Sequence, residues 1–236
     1  MKSTAIGCWA PSLESSRSCP WFGPLQLLHH PQGRSSLYDR YHSLASRTVS
    51  RIIWVDKCAL TPNEDSGSLR AFNLLIALAR AGACVHFIAL DRQRVEPFSL
   101  QMEAEGVICW DLHNTNNTFE LINKYQEKFD HIILSRIEVA QAFLVRNILP
   151  NLRGKIHFDT VDLSFRRLGQ ETQCALPNGK VKEVEERKEL YRQVITLATS
   201  TLVVSETEAQ EVKRLVPGAK TQVVSNMISP EVESAY

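Results

Sequence analysis

Four short polar clusters along this chain bring carboxylates, guanidiniums, hydroxyls and a glycine close enough together to do chemistry. The densest is Asp159-Thr160-Val161-Asp162-Leu163-Ser164-Phe165-Arg166-Arg167, with two carboxylates and two arginines. Asp159 or Asp162 can act as a general base towards a hydroxyl if geometry and pKa allow. A polar loop with internal ion pairs is the competing reading. Ser66-Gly67-Ser68, followed by Arg70, opens a helical stretch. A helix start offers unpaired N–H groups to an anion, glycine permits close approach, and Arg70 can add a charge-assisted bond. An ordinary capped helix, with Ser66 or Ser68 as N-cap, is the simpler account of that tripeptide by itself. In Ser135-Arg136-Ile137-Glu138, Arg136 either faces a crevice or is a solvated charge, while Glu138 favours the N-terminus of a helix. Ser205 and Glu208 fit a capping box, which is a sufficient structural role, with any ligand contact an addition to it.

Other chemistries are disfavoured. The chain has no G-x-G-x-x-G, no Walker A lysine and no G-x-S-x-G elbow. His86, His131 and His157 match no metal-ligand spacing and read as packing residues. None of the six cysteines (Cys8, Cys19, Cys58, Cys84, Cys109, Cys174) forms a C-x-x-C pair, which argues against a zinc site or a redox dithiol. Cys84 and Cys109 lie in apolar runs and read as small buried hydrophobes.

The elements that must position these clusters alternate regularly. Ile52–Val55, ending at Asp56, reads as a strand buried on both faces. A polar loop through Pro62 leads to an apolar stripe at Leu69, Phe72, Leu75 and Ile76, a helix that Gly82 closes. Strands follow at Ala83–Leu90, Gly106–Asp111, His131–Leu134, Lys155–Asp159, Thr201–Val204 and Thr221–Val224. Helices fall between them: Pro97–Glu105, Thr118–Lys128 with Thr118 as cap, Glu138–Leu149 stopped by Pro150, Val181–Ala198 and Glu206–Leu215. Strands separated by helices imply right-handed crossovers. The fold class is therefore α/β, a doubly wound, mostly parallel Rossmann-like sheet of about seven strands with helices on both faces. Such sheets bind ligands beyond the carboxyl ends of their strands, where all four clusters fall.

Residues 1–50 differ from this body. They hold ten serines, four prolines and five basic residues against two acidic ones. They read as a disordered extension or as an organellar transit peptide. The domain is expected to span residues 51–228, with residues 229–236 as the truncated start of an interdomain linker. With 27 basic and 26 acidic residues the chain has no surplus to grip a nucleic-acid backbone. No run reaches the ~18–20 apolar residues of a membrane span. A soluble, cytoplasmic chain is expected, with organellar targeting as the alternative.

Four segments, in order, resemble a known family. Ile52-Ile53-Trp54-Val55-Asp56 with Pro62 and Asp65-Ser66-Gly67-Ser68-Leu69-Arg70 is the first. Ile133 to Glu138, Phe158 to Leu163 and Val204 to Asn226 are the others. Together they resemble the N-terminal half of family-4-type glycosyltransferases. These have the GT-B architecture, with two Rossmann-like domains facing across a cleft. The resemblance implies transfer of a sugar from a nucleotide-sugar donor to an acceptor, with no cofactor or obligatory metal. By position it implies that Ser66, Gly67 and Ser68 approach the donor's phosphates and that Asp159 and Asp162 line the cleft. Taken with the strand-end positions, the candidates are Asp159 and Asp162 for catalysis, and Ser66, Gly67, Ser68, Arg70, Arg136, Glu138, Ser205 and Asn226 for donor-phosphate or acceptor contacts.

The resemblance has departures. Asp159 stands where many members have a histidine, Asp162-Leu163-Ser164-Phe165 replaces D-L-H-F, and Ser225-Asn226-Met227 replaces P-N-G. In that family the second domain grips the diphosphate and ribose. The chain is thus expected to be a truncated acceptor-side half, with a donor domain supplied separately and little turnover alone. A non-catalytic Rossmann-like binding module and a flavodoxin-like regulatory domain are the alternatives.

Overall fold

The run Ile52–Val55 forms the body of strand β1 (Arg51–Asp56), whose residues from Ile52 onward are all buried. Its side chains alternate between two cores: Ile53 and Val55 join one, Ile52 and Trp54 the other. The computed structural model describes residues 49–152, 154–166, 168 and 178–226. The N-terminal extension through residue 48, Arg167, and everything from Met227, including the expected linker start at 229–236, lie outside the described residues.

Helix α1 (Ser66–Arg80) leads to β2 (Cys84–Ala89), α2 (Phe98–Ala104) and β3 (Ile108–Trp110). Then come α3 (Thr118–Tyr125), β4 (His131–Ser135), α4 (Ile137–Val145) and β5 (Ile156–Asp159). Helix α5 (Asn178–Leu197), β6 (Ser200–Val203), α6 (Glu206–Leu215) and β7 (Thr221–Val223) complete the described order, with short 3-10 turns at Gln126–Lys128 and Leu149–Leu152. The strands form one sheet in the order β3-β2-β1-β4-β5-β6-β7, every neighbouring pair parallel. This is the doubly wound Rossmann-like sheet that the alternating pattern implies.

Helices cover both faces. Ala71 and Leu75 of α1 and Met102 of α2 pack with Trp54 and Phe87 on one side. Leu121, Ile122, Val139, Phe143, Tyr191, Val194, Ala209 and Val212, from α3 to α6, form the larger core on the other. Burying apolar area on both faces is the dominant favourable term for such a sheet. Among the described residues no helix is long and apolar enough to cross a membrane.

The start of α3 and the end of α4 differ from the sequence expectation. The cap of α3 is Asn117, whose side chain accepts from the N–H groups of Phe119 and Glu120; Thr118 instead donates to the Ala89 carbonyl. Helix α4 ends at Val145, before Pro150 is reached. Asn147 adopts a left-handed φ of 53°, and the N–H groups of Asn147 and Ile148 bond back to the carbonyls of Leu144 and Phe143. That is a Schellman ending with asparagine in the usual glycine position. Pro150 sits within the 3-10 turn that follows.

The sheet reverses its winding between β1 and β4. These neighbours pair in parallel, Val55 opposite Leu134, so the residues that leave them, Asp56 and Ser135-Arg136, emerge side by side. A crevice at the carboxyl end of a switch point is where this architecture holds ligands.

Candidate functional site

The start of α1 is built by Asp65, and not by the serines that follow it. Asp65 has extended dihedrals and its Oδ1 accepts from the Ser68 N–H at 2.9 Å. Ser68 is buried and donates its hydroxyl to the same carboxylate. Asp65 is therefore the N-cap, and Ser66 and Ser68 occupy the first turn. Ser66 is exposed and Gly67 buried.

Gly67 marks a close approach. A Cβ built there would stand 2.7 Å from Val161 Cγ1, 2.9 Å from Arg136 Nη2 and 3.0 Å from Asp65 Oδ1. Two of those neighbours hold unusual backbone: Val161 has φ 59° and Arg136 has φ 75°. Positive φ in a β-branched residue is a genuine outlier and persists only where surrounding structure imposes it. Gly67→Ala is expected to force Val161 or Arg136 aside at a cost of about 1–3 kcal/mol. Chemical denaturation checks this, and an unchanged midpoint would show the rim to be slack.

Arg70 lies one turn further along α1 and is 1 % exposed. Its Nη1 bonds both oxygens of Asp159 at 2.7 Å, and its Nε and Nη2 reach the Val224 carbonyl at 3.2 and 3.1 Å. Asp159, at the end of β5, is 0 % exposed and also accepts from Ser135 Oγ at 3.3 Å. Burial pushes the Asp159 carboxyl above its ordinary range, while the Arg70 guanidinium pulls it down. This ion pair joins α1, β5 and the chain leaving β7. Both partners face each other, which leaves Arg70 no donor fork for a phosphate and gives Asp159 the role of a framework anion.

Arg136 is the arginine at the crevice mouth. Its backbone N–H bonds the Asp159 carbonyl at 2.8 Å, which holds it at its strained φ. Its Nε donates to Asp56 Oδ1 at 3.0 Å and its Nη2 to Asp65 Oδ1 at 3.1 Å. Burial works against its charge, but Asp56 and Asp65 hold its pKa above the ordinary value. Hydrogen bonds from Ser68 and Arg136 overcome the part burial of Asp65 and keep its carboxyl below the usual range.

The sequence marks Asp56 as the end of β1 and as part of the first resembling segment, but not as a site residue. It is wholly buried. Its Oδ1 accepts from Arg136 and from the Lys57 N–H at 2.6 Å, whereas Oδ2 is buried without a hydrogen-bond partner. Burial pushes this carboxyl up to about 6, against the pull of Arg136 and the Lys57 N–H, and the charge of Asp159 adds to the rise. A buried carboxyl with that combination, in a crevice, is a functional-site signature.

The remaining sequence candidates lie around this centre. Asp162 is exposed at the rim, and its backbone carbonyl accepts from the buried Tyr191 hydroxyl at 3.0 Å. The Ser164 hydroxyl is 3.3 Å from that same tyrosine oxygen and turned into the core. Glu138 points towards α5, where Arg187 approaches it at 3.8 Å, so the structure does not bring it to the Asp56–Arg136 group. Asn226 is exposed beyond β7. Ser205 caps α6 by accepting from the Glu208 N–H at 3.3 Å, and the buried Glu208 carboxylate turns back to the Val204 N–H. Ser205→Ala is expected to cost about 1 kcal/mol of stability, read by thermal denaturation. His131 and His157, bonded ring to ring at 2.9 Å, sit at the amino ends of β4 and β5, across the sheet from the crevice. Among the described residues no group of His, Cys, Asp and Glu could hold a metal ion.

No protein-family model matches the chain, and no curated protein matches it in sequence. Among solved structures, the sucrose-phosphate synthase from Thermosynechococcus elongatus is similar, with a TM-score of 0.46 and 13 % identity over 75 % of this chain. The match covers 48 % of that protein, so this chain spans about half its length. A likeness at that level carries no argument about substrate or reaction.

Proposed function

We propose that this chain is the acceptor-side half of a family-4-type GT-B glycosyltransferase, which moves a sugar from a nucleotide-sugar donor to an acceptor hydroxyl. One observation carries the reading. All four segments that resemble the family, far apart in sequence, bond to one another, and Arg70 of the first also donates to the Val224 carbonyl of the fourth. Arg70 of the first meets Asp159 of the third, 89 positions away, and Arg136 of the second meets Asp65 of the first, 71 positions away.

In the reaction the acceptor oxygen bonds to the anomeric carbon, the bond from that carbon to the diphosphate breaks, and the acceptor proton is passed to a base. The first-turn amides at Ser66 and Gly67, with Arg136, favour negative charge on the departing diphosphate. Asp162, exposed on the rim, is the carboxylate suited to take the proton. Asp159, clamped by Arg70, instead holds the crevice in shape. Further diphosphate contacts come from a donor-side domain on the same or another chain.

Titration of the isotope-labelled chain with UDP- and GDP-sugars tests this by amide NMR. Weak binding is expected, with a dissociation constant of about 1 mM, or about −4 kcal/mol. The shifts should centre on Ser66–Ser68 and Arg136. Shifts confined to other surfaces, or none, would overturn it. A second reading, a non-catalytic binding module, is favoured by the commitment of Asp159 to Arg70. Sugar transfer on addition of a donor-side domain separates the two.

A further inference from the structure

Asp56 and Arg136 form a pair whose members are unequally placed. Asp56 is sealed in, with one oxygen lacking any partner, while the side chain of Arg136 is 23 % exposed. An ionised carboxylate has about four lone-pair sites, and only Oδ1 of Asp56 is served. Arg136 is also its one cation in direct contact among the described residues. The other nearby arginine, Arg70, is spent on Asp159 and Val224.

Charged and titratable groups approach Asp56 from each side. Lys57 and Cys58 follow it on its own strand end. Arg136 comes from the start of α4 and Asp159 from β5, and Asp65 at the start of α1 shares the Arg136 guanidinium. Asp56 and Asp91, beyond β2, both bear on Cys58.

The Asp56–Arg136–Asp65 triad carries two negative charges and one positive, an unfavourable host for an anion. Yet Arg136 Nη2 lies 2.9 Å from where a Gly67 Cβ would stand, at the first turn of α1, the turn that receives an anion in the function proposed above. The unpartnered, sealed oxygen of Asp56 supplies the missing compensation. We propose that anion binding at this rim is coupled to proton uptake by Asp56. An oxyanion turns the Arg136 guanidinium towards itself, and Asp56, left without a cation beside ionised Asp159, binds a proton on Oδ2. The triad then carries one negative charge and one positive. Asp56 is a positioning residue in this scheme: it holds Arg136 in place and releases it on protonation. The proposal rests on the anion-binding reading of the Gly67 rim given above.

The test uses the full chain and sulfate, an oxyanion that does not titrate in the neutral range. Calorimetric titration at constant ionic strength, in two buffers of different ionisation enthalpy, counts protons taken up. Uptake is expected between pH 6 and 8, and the sulfate affinity should fall with rising pH by up to about tenfold per unit. Asp56→Asn should abolish both the uptake and the pH dependence while sulfate still shifts the Ser66–Ser68 amides. In Arg136→Gln, carboxyl NMR should show Asp56 titrating at a higher pH than in the parent. Sulfate binding at those amides without proton uptake, or an Asp56 titration indifferent to Arg136, would overturn the coupling and leave the anion site standing. No sulfate shift at those amides would overturn the anion site and the coupling with it.

Discussion

Arg70→Met should destabilise this protein by about 3–5 kcal/mol at pH 8, the cost of leaving one member of a buried ion pair without the other. Asp159 is fully buried, and without Arg70 it keeps the Ser135 hydroxyl, at 3.3 Å, as a side-chain partner. The Val224 carbonyl also loses the Nε and Nη2 donors. For a domain whose whole stability is of order 5–15 kcal/mol, this is a large share. The loss should shrink towards pH 4, because an unpaired Asp159 escapes its desolvation penalty by taking up a proton. Two further variants isolate the cause. Arg70→Met with Asp159→Leu removes both charges and should recover most of the loss. Arg70→Lys keeps the charge but has no planar fork, so it should restore only part. Hydrogen exchange adds a local signature, with residues 224–226 exchanging faster in Arg70→Met than global unfolding explains. Urea denaturation of the four proteins decides the matter. A cost below about 1 kcal/mol in the single variant would place Arg70 among surface-like pairs and free it for ligand binding.

That pair also shows where reading the sequence stops. The strands were legible because apolar runs such as Ile52–Val55 and His131–Leu134 are short, uninterrupted and separated by helical stripes. This order alone dictates a parallel sheet with helices on both faces. The carboxyl-end rule then placed the polar clusters at one edge of the sheet, and the structure brings Gly67, Arg136 and Asp159 together there. Ser205 was read correctly as the cap of α6, but the caps of α1 and α3 were misassigned by a residue or more, because neighbours such as Asp65, Ser66 and Ser68 are all competent and only the backbone dihedrals choose among them. Pro150 attracted the end of α4, although Asn147 ends it by a left-handed turn that asparagine tolerates and does not advertise. The destiny of each charge was least legible. Arg70 lies three residues after Gly67 at a helix start, which suits a phosphate ligand, yet its partner is an aspartate 89 positions away. Glu138 sits in the first turn of α4 but leans to Arg187 on α5. Long-range pairing depends on strand order and register, and no local spacing encodes it. The orphan oxygen of Asp56 belongs to the same class, since it is defined by what surrounds it.

Asp56→Asn should stabilise the protein at pH 8 and change it little at pH 4. The carboxyl of Asp56 titrates at about 6 in the folded chain, against 3.8 for the ordinary group. Between those values the folded state holds a proton that the unfolded chain has released. Folding therefore loses stability as pH rises from about 4 to 6, by about 3 kcal/mol in total, and the deficit persists at higher pH. This is opposite in sign to the common salt-bridged carboxylate, which strengthens folding as it ionises. An asparagine cannot ionise, so the variant should lack that decline, and its advantage over the parent should open through the same interval. Part of the gain is offset, because Arg136 keeps only Asp65 as a full counter-charge and the asparagine N–H group inherits the unpartnered position of Oδ2. Denaturation midpoints of both proteins at pH 4, 5, 6, 7 and 8 provide the measurement. Parallel curves across that range would show that Arg136 and the Lys57 N–H compensate the buried charge in full. Diverging curves would show a residue that lowers the stability of its own fold, the trade expected where a buried charge is kept for binding and not for packing.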